Sequence, residues 1–116
     1  MTSQRVFKVA EFLQPNDGEP IRSIVAESAH ASIVAWFVKP GQRIAPHLHP
    51  HGQDTWTVLE GGGLYCLDSS DTTLPISAGD VVVAPARSVH GVLNTGTQPL
   101  VFVSVVCPAE AGFVPV

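Results

Sequence analysis

The sequence has few charged residues and no long apolar run, and each shortage excludes a class of protein. Charged residues make up 14% of the 116-residue chain, with a formal net charge of −4 and no basic cluster. This composition argues against a nucleic-acid-binding surface or a patch for anionic membranes. The longest apolar run, "PLVFVSVVC", is too short to cross a bilayer and is typical of a buried strand. We therefore expect no nucleic-acid partner and no membrane partner.

Cysteine is also scarce. The two cysteines, Cys66 and Cys107, lie in strand-like runs, which favours small buried side chains over a disulfide, although the sequence leaves a disulfide open. The first residues, "MTSQRVFKVAEF", contain no apolar segment of the kind found in secretory signal peptides. We therefore expect a cytoplasmic protein.

Glycine and proline, by contrast, are frequent, with ten residues of each, and 45% of the chain is apolar. This combination predicts short strands joined by tight turns, in one domain that spans residues 1–116. Residues 9–14 favour a helical turn. The rest gives about eight strand-like runs, which indicate an all-β antiparallel barrel or sandwich. These runs are 21–28, 31–39, 54–60, 64–68, 74–77, 81–85, 88–94 and 100–106.

Histidine is concentrated in one place. Three of the five histidines, His47, His49 and His51, occupy alternate positions in "APHLHPHGQD". Side chains alternate along a strand, so His47 and His49 share a face; His51 is less certain because Pro50 and Gly52 flank it. In the next strand the more apolar face carries Asp54, Trp56 and Val58, which we place inside the barrel.

Two histidines and a carboxylate on one inward face can form part of a site for a first-row transition metal. A lone inward carboxylate is also expensive to bury without a cation. His90, in "ARSVHGVLN", follows another turn and could complete the set from a distant strand of the same barrel. The candidate metal ligands are His47, His49, Asp54 and His90.

The spacing of these residues resembles the two motifs of the cupin superfamily. In the first, Gly41 precedes His47-Leu-His49, Asp54 and Gly61; in the second, Gly79 precedes Pro85, His90 and Asn94. The resemblance implies a small single-domain cupin of jelly-roll type, with the motif-bearing barrel at about 32–106 and accessory strands in 1–30. It also implies one divalent metal per chain (Fe, Mn, Ni or Zn), held by the four candidate ligands, and a homodimer.

Two positions depart from the family pattern. Asp54 stands where glutamate is usual, and its side chain is one methylene shorter. Three alternatives follow: Asp54 ligates the metal directly, holds a ligating water or falls short of the metal. Gln53 is the neighbouring alternative, although it has the opposite parity. Arg87 replaces the usual glycine, which either alters a turn or places a cation near the barrel mouth.

The remaining candidates are ligand-pocket residues. We assign His51, Gln53, Trp56 and Arg87 to this group, with core filling as the alternative role for Trp56. Arg43 and Tyr65 are weaker candidates for contact with a polar ligand. Trp36 is expected in the core or a dimer interface, and His30 at the surface.

A metal with three imidazoles and at most one carboxylate keeps open coordination positions. The resemblance therefore implies either a dioxygenase or isomerase that acts on a small organic molecule, or a non-catalytic cupin that binds a small ligand. An enzyme also needs a group that moves protons, for which His51 and Glu60 are the candidates. A metal-free barrel with hydrogen-bonded histidines is the remaining alternative.

Overall fold

The computed structural model describes residues 4–116, which form two five-stranded antiparallel sheets packed as a jelly roll. One sheet has the strand order β1-β2-β9-β4-β7, and the other has the order β10-β3-β8-β5-β6. This confirms the all-β prediction. The strands are β1 (Ser23–Glu27), β2 (Ser32–Val38), β3 (Arg43–Leu48), β4 (Gln53–Glu60), β5 (Gly62–Cys66), β6 (Thr73–Ser77), β7 (Val81–Ala84), β8 (His90–Leu93), β9 (Leu100–Cys107) and β10 (Val114–Pro115).

Strand β4 shows why the sheets bury one face each. Asp54, Trp56 and Val58 are buried, whereas Gln53, Thr57 and Leu59 on the other face are exposed. This alternation is the pattern of a strand with one face toward a core. The predicted parity of β4 is therefore confirmed, and it points Asp54 into the interior.

The apolar core occupies one end of the space between the sheets. Val38, Leu100 and Phe102 have no exposed surface, and Val58 and Trp56 are each 2% exposed. The rings of Trp56 and Phe102 stack with centroids 4.3 Å apart. The core therefore ends at Trp56, and the interior beyond it toward Asp54 is free to hold a site.

The turns depend on residues from both sequence motifs. Gly61 (φ 72°) and Gly79 (φ 96°) adopt positive φ values, which glycine tolerates without steric cost. A Cβ on Gly61 would also overlap the carbonyl oxygen of Pro99. Asn94 is fully buried, and its side-chain amide donates to the carbonyls of Val38 (3.0 Å) and Gln98 (2.8 Å). These residues therefore fix the connections between the strands.

The N-terminal segment and the two cysteines agree only in part with the predictions. The helical turn at 9–14 is a 3-10 turn, Val9–Glu11, and β1 is the one strand formed between residues 4 and 30. Both cysteines are free, but Cys107 is exposed and Cys66 is half-buried. The expectation that both are buried was therefore wrong for Cys107, which is the last residue of β9, where the strand leaves the core. Over the residues that the structure describes, no helix has the length and apolar character to cross a bilayer.

Candidate metal centre and ligand cavity

The structure brings the four predicted metal ligands together at the polar end of the interior. His47 and His90 are directly opposed in the pairing of β3 with β8, and their ring centroids lie 4.3 Å apart. The ring of His49, just after β3, lies 5.2 Å from that of His47 and 5.0 Å from that of His90. Asp54 reaches the same point from the opposite sheet. One donor atom from each of these four residues lies within 4.8 Å of the others.

Each of the three imidazoles is oriented by the main chain. Their Nδ1 atoms lie at hydrogen-bonding distances of 2.8, 2.7 and 3.0 Å from carbonyl oxygens. A carbonyl only accepts, so each Nδ1 carries the proton and donates it. The neutral form of each ring then presents the Nε2 lone pair, which is the form that binds metals. The donor and acceptor pairs are His47 with Ala45, His49 with Gly112, and His90 with Ser88.

The carboxylate of Asp54 faces two of these Nε2 atoms. Its Oδ2 lies 3.1 Å from Nε2 of His90 and 3.5 Å from Nε2 of His49, while its Oδ1 accepts a hydrogen bond from Ser104 Oγ at 2.8 Å. With Nδ1 protonated, neutral rings would direct lone pairs at a negative oxygen. That arrangement is repulsive unless a cation intervenes, either a proton on the rings or a metal ion. The donor set therefore fits a metal.

The pKa values respond to the same contacts. Burial by itself raises the pKa of Asp54. The contacts with His49 and His90, in which a ring proton faces Oδ2 when no metal is bound, and the hydrogen bond from Ser104 outweigh it and hold this pKa well below its usual range. Burial lowers the pKa of His47, which favours its neutral form. The hydrogen bond with Asp54 raises the pKa of His49, with burial and the charge of Arg22 acting in the opposite direction. Asp54 is therefore a carboxylate across the neutral range.

A cavity of about 850 Å³ opens directly onto this cluster. His47, His49 and Asp54 line its polar floor. Its walls are mainly apolar, and three charged side chains are among its lining residues. A largely apolar pocket with a few convergent polar groups is the usual form of a small-molecule site. The apolar walls include Val34, Trp36, Ile44, Trp56, Val106 and Phe113, and the charged side chains are those of Glu19, Arg22 and Arg43.

Of the four predicted ligand-pocket residues, the structure places only Trp56 in the cavity wall. His51, Gln53 and Arg87 are exposed and lie outside the lining, and the Gln53 amide donates to Thr55 Oγ1 at 3.1 Å. Trp36, expected in the core or an interface, also lines the cavity.

Arg87 takes part in a turn, which is the first of the two alternatives predicted from its replacement of glycine. Its φ of 67° is positive, which explains why glycine is usual at this position. Its backbone N–H donates to the carbonyl of His49 at 2.9 Å. The turn at Arg87 therefore supports the segment that carries a candidate ligand.

Sequence reasoning missed several residues around the site. Ser104 was visible as the one polar residue in the apolar run of β9, at an inward position. Nothing local marked Arg22 or Glu19, because the N-terminal segment reaches the cavity through contacts made far along the chain. The Gln42 amide donates to the carbonyls of Asn16 and Gly18, each at 2.6 Å, and so fixes that segment beside the cavity.

The C-terminal segment was also missed as part of the site. Strand β10 pairs with β3 through Val114 opposite Leu48 and Pro115 opposite His47. Residues 109 and 111–113 line the cavity, and the ring of Phe113 lies 5.0 Å from that of His47. This segment closes one side of the cluster and supplies the Gly112 carbonyl that orients His49.

The fold and the two motifs have a direct counterpart among known families. The family model for the cupin domain matches residues 34–106, so the chain belongs to the cupin family.

Two solved structures and one curated protein illustrate the relationship. An uncharacterized conserved protein with a double-stranded beta-helix domain from Klebsiella pneumoniae is 46% identical, with a TM-score of 0.94 and 97% of each chain covered. An RmlC-like cupin protein from Desulfovibrio desulfuricans is 30% identical, with a TM-score of 0.77, and the match covers 94% of this chain and 98% of that one. A putative germin-like protein 9-2 from Oryza sativa is 28% identical over 97% of this chain, which spans 56% of the length of that relative.

Proposed function

We propose that the protein binds one divalent first-row transition metal ion per chain and uses it to act on a small organic molecule in the adjacent cavity. The observation that carries this proposal is the convergence of His47, His49, His90 and Asp54, with donor atoms within 4.8 Å of one another, at the floor of a cavity of about 850 Å³. Three imidazoles and one carboxylate suit iron, manganese, nickel or zinc. Such an ion acts as a Lewis acid or activates dioxygen, which supports dioxygenase or isomerase chemistry.

The residues around the cluster have separate tasks in this proposal. The main-chain carbonyls hold the imidazoles in the tautomer that binds metal, and Ser104 holds one oxygen of Asp54 so that the other faces the histidines. Trp36 and Trp56 supply flat apolar surface for the organic ligand and exclude water from that side of the cavity. Metal binding and ligand binding therefore depend on different groups around the same cavity.

A non-catalytic, ligand-binding cupin is the second candidate, and one observation favours it. The two residues expected to move protons, His51 and Glu60, are exposed and lie outside the cavity lining. Among the described lining residues, Glu19 is the one carboxylate besides Asp54. If a ligand that co-purifies with the protein is released chemically unchanged after incubation with the metal-loaded form, this candidate is favoured; an altered product favours the enzyme.

The metal assignment is tested by elemental analysis of purified protein. We expect about one divalent ion per chain in the wild type and a sharp loss in His49→Ala, because this change removes one of four converging donors. His30→Ala is the matched control, since His30 is exposed and lies outside the cluster. Equal metal content in all three proteins would contradict the assignment. The expected homodimer and the cytoplasmic location stay predictions.

A further inference from the structure

The cavity holds a cationic group that the metal cluster does not use. Arg22 lies immediately before β1, and its side chain lines the cavity that also contains His49 and Asp54. Its guanidinium donates one hydrogen bond to Ser32 Oγ at 3.1 Å, and Ser32 has no exposed surface. A guanidinium has five N–H donors, so this contact positions Arg22 and leaves most of its donors available.

The strand register places Arg22 at the same level as the metal cluster. Ser32 on β2 is paired with Val106 on β9, and Val106 is paired with Asp54 on β4. Adjacent strands are about 4.8 Å apart, so the anchor of Arg22 and the carboxylate of Asp54 are separated by roughly 10 Å, two strand spacings. The inward side chain between them is the apolar Val106. The cavity therefore has a solvent-exposed cation at one side and the metal ligands at the other.

The charge of Arg22 is not neutralised within the cavity. Among residues 4–116, the ion pairs are those of Lys39 with Asp17 and of two histidines with Asp54, so Arg22 has no carboxylate partner there. Glu27 accepts the Ser32 hydroxyl at 2.8 Å but lies outside the cavity lining. Two other charged side chains line the cavity, Glu19 with a negative charge and Arg43 with a positive charge, and these two charges cancel. With a divalent ion on the cluster, the cavity has a net positive charge.

We infer that the ligand of this cavity is a small organic carboxylate, bound through its carboxylate to Arg22 and through its apolar body to the tryptophan-lined wall. An arginine fork matches the two oxygens of a carboxylate, and such charge-assisted contacts are about twice as strong as neutral ones. The body lies against Trp36 and Trp56, and the far end faces the metal ligands. This inference rests on the proposed function, because it takes the cavity as the ligand site.

The test compares benzoate with benzamide, which have similar size and shape but differ in charge. Trp36 and Trp56 are the only two tryptophans of the chain and both line the cavity, so tryptophan fluorescence reports occupancy, and calorimetry gives the affinity. We expect wild type to bind benzoate about 2- to 5-fold more tightly than benzamide, the range of a solvent-screened ion pair, because Arg22 is exposed. Arg22→Gln should lose this preference, and Arg22→Lys, which keeps the charge without the fork, should retain part of it.

The control is Arg5→Gln, since Arg5 is exposed and lies outside the cavity lining; it should keep the full preference. Equal affinity for the two probes in wild type, a benzoate preference that persists in Arg22→Gln, or no binding of benzoate each overturns the inference. Metal content is measured on the same preparations. If wild type contains a full complement of metal but shows no Arg22-dependent preference for benzoate, the carboxylate inference fails and the metal proposal stands. If the Arg22-dependent preference is present but the protein contains no metal, the metal proposal fails and the carboxylate inference stands.

Discussion

The two ends of the barrel interior differ in chemistry although one strand contributes to both. Along the inner face of β4, Val58 packs in the apolar core, Trp56 follows, and Asp54 enters the polar cluster. The apolar end is filled by side chains such as Phe102, whereas the polar end opens into the cavity. Two residues of a strand span only about 7 Å, so the transition between the two environments is abrupt.

This difference shows how the fold separates stability from chemistry. Burial of apolar surface at the core end favours folding by about 25 cal/mol per Å². Burial of a carboxylate at the other end costs free energy unless its oxygens are bonded. Asp54 meets that condition through Ser104 and the histidines, and among the described residues no buried side-chain nitrogen or oxygen lacks a partner. Substitutions at the two ends should therefore have different consequences.

The largest effect is expected from Phe102→Ala at the core end. Phe102 has no exposed surface and stacks on both Trp36 and Trp56. Loss of its ring should lower the free energy of unfolding by about 3–5 kcal/mol, measured by urea denaturation. Phe113→Ala is the matched control, because that ring is 65% exposed, and we expect a loss below about 1 kcal/mol. Equal losses would show that the apolar end does not dominate stability.

A smaller effect is expected from alkaline titration of Tyr65, the only tyrosine in the chain. Burial, together with the charge of Asp54, raises its pKa from 10.0 to about 12. As the pH rises, the unfolded chain therefore loses this proton first, so the stabilisation is complete below about pH 10 and is lost toward pH 12. The loss should be about 2–3 kcal/mol in wild type.

Tyr65→Phe is the control for this titration, because other groups that ionise at high pH are unchanged in it. The difference in unfolding free energy between wild type and Tyr65→Phe should shrink or reverse over this interval, followed by urea denaturation at each pH. A difference that is constant from pH 10 to 12 would show that the phenol is not in the dry part of the interior.

The smallest effect on stability but a clear effect on metal binding is expected from Ser104→Ala. This change removes the hydroxyl that holds Oδ1 of Asp54. Loss of such a supporting contact typically weakens metal affinity about 10- to 100-fold, while the free energy of unfolding should fall by about 1.5–2 kcal/mol, because a buried hydrogen bond to a charged group is lost. Ser23→Ala, another buried serine of the same sheet that lies outside the cavity lining, should leave metal affinity unchanged. Similar metal affinities for both variants would show that Ser104 does not position Asp54.

The sequence allowed much of this arrangement to be predicted because strands have a strict period of two. Alternation along β4 was sufficient to place Asp54, Trp56 and Val58 inside, and the H-x-H spacing was sufficient to put His47 and His49 in one place. Side chains do not alternate regularly in turns. His51 and Arg87 lie next to glycine or proline turns, which explains why both lie outside the cavity.

Arg22 and the C-terminal segment were beyond prediction for a different reason. Their positions depend on pairings between distant parts of the chain, such as Gln42 with the carbonyls of Asn16 and Gly18, and β10 with β3. These contacts involve main-chain atoms, which every residue possesses, so no local pattern of side chains indicates them. Ser104 is the exception, since a single hydroxyl in an apolar inward run is a visible anomaly.

The main-chain contacts of the three imidazoles also bear on how this protein can change. A carbonyl group belongs to the peptide bond, so no single-residue replacement at positions 45, 88 or 112 deletes it; only a shift of the backbone would. The walls of the cavity, in contrast, consist largely of side chains, and an amino-acid substitution replaces a side chain directly. Substitutions in the cavity walls can therefore change the ligand specificity, while the main-chain hydrogen bonds to the histidine rings are kept.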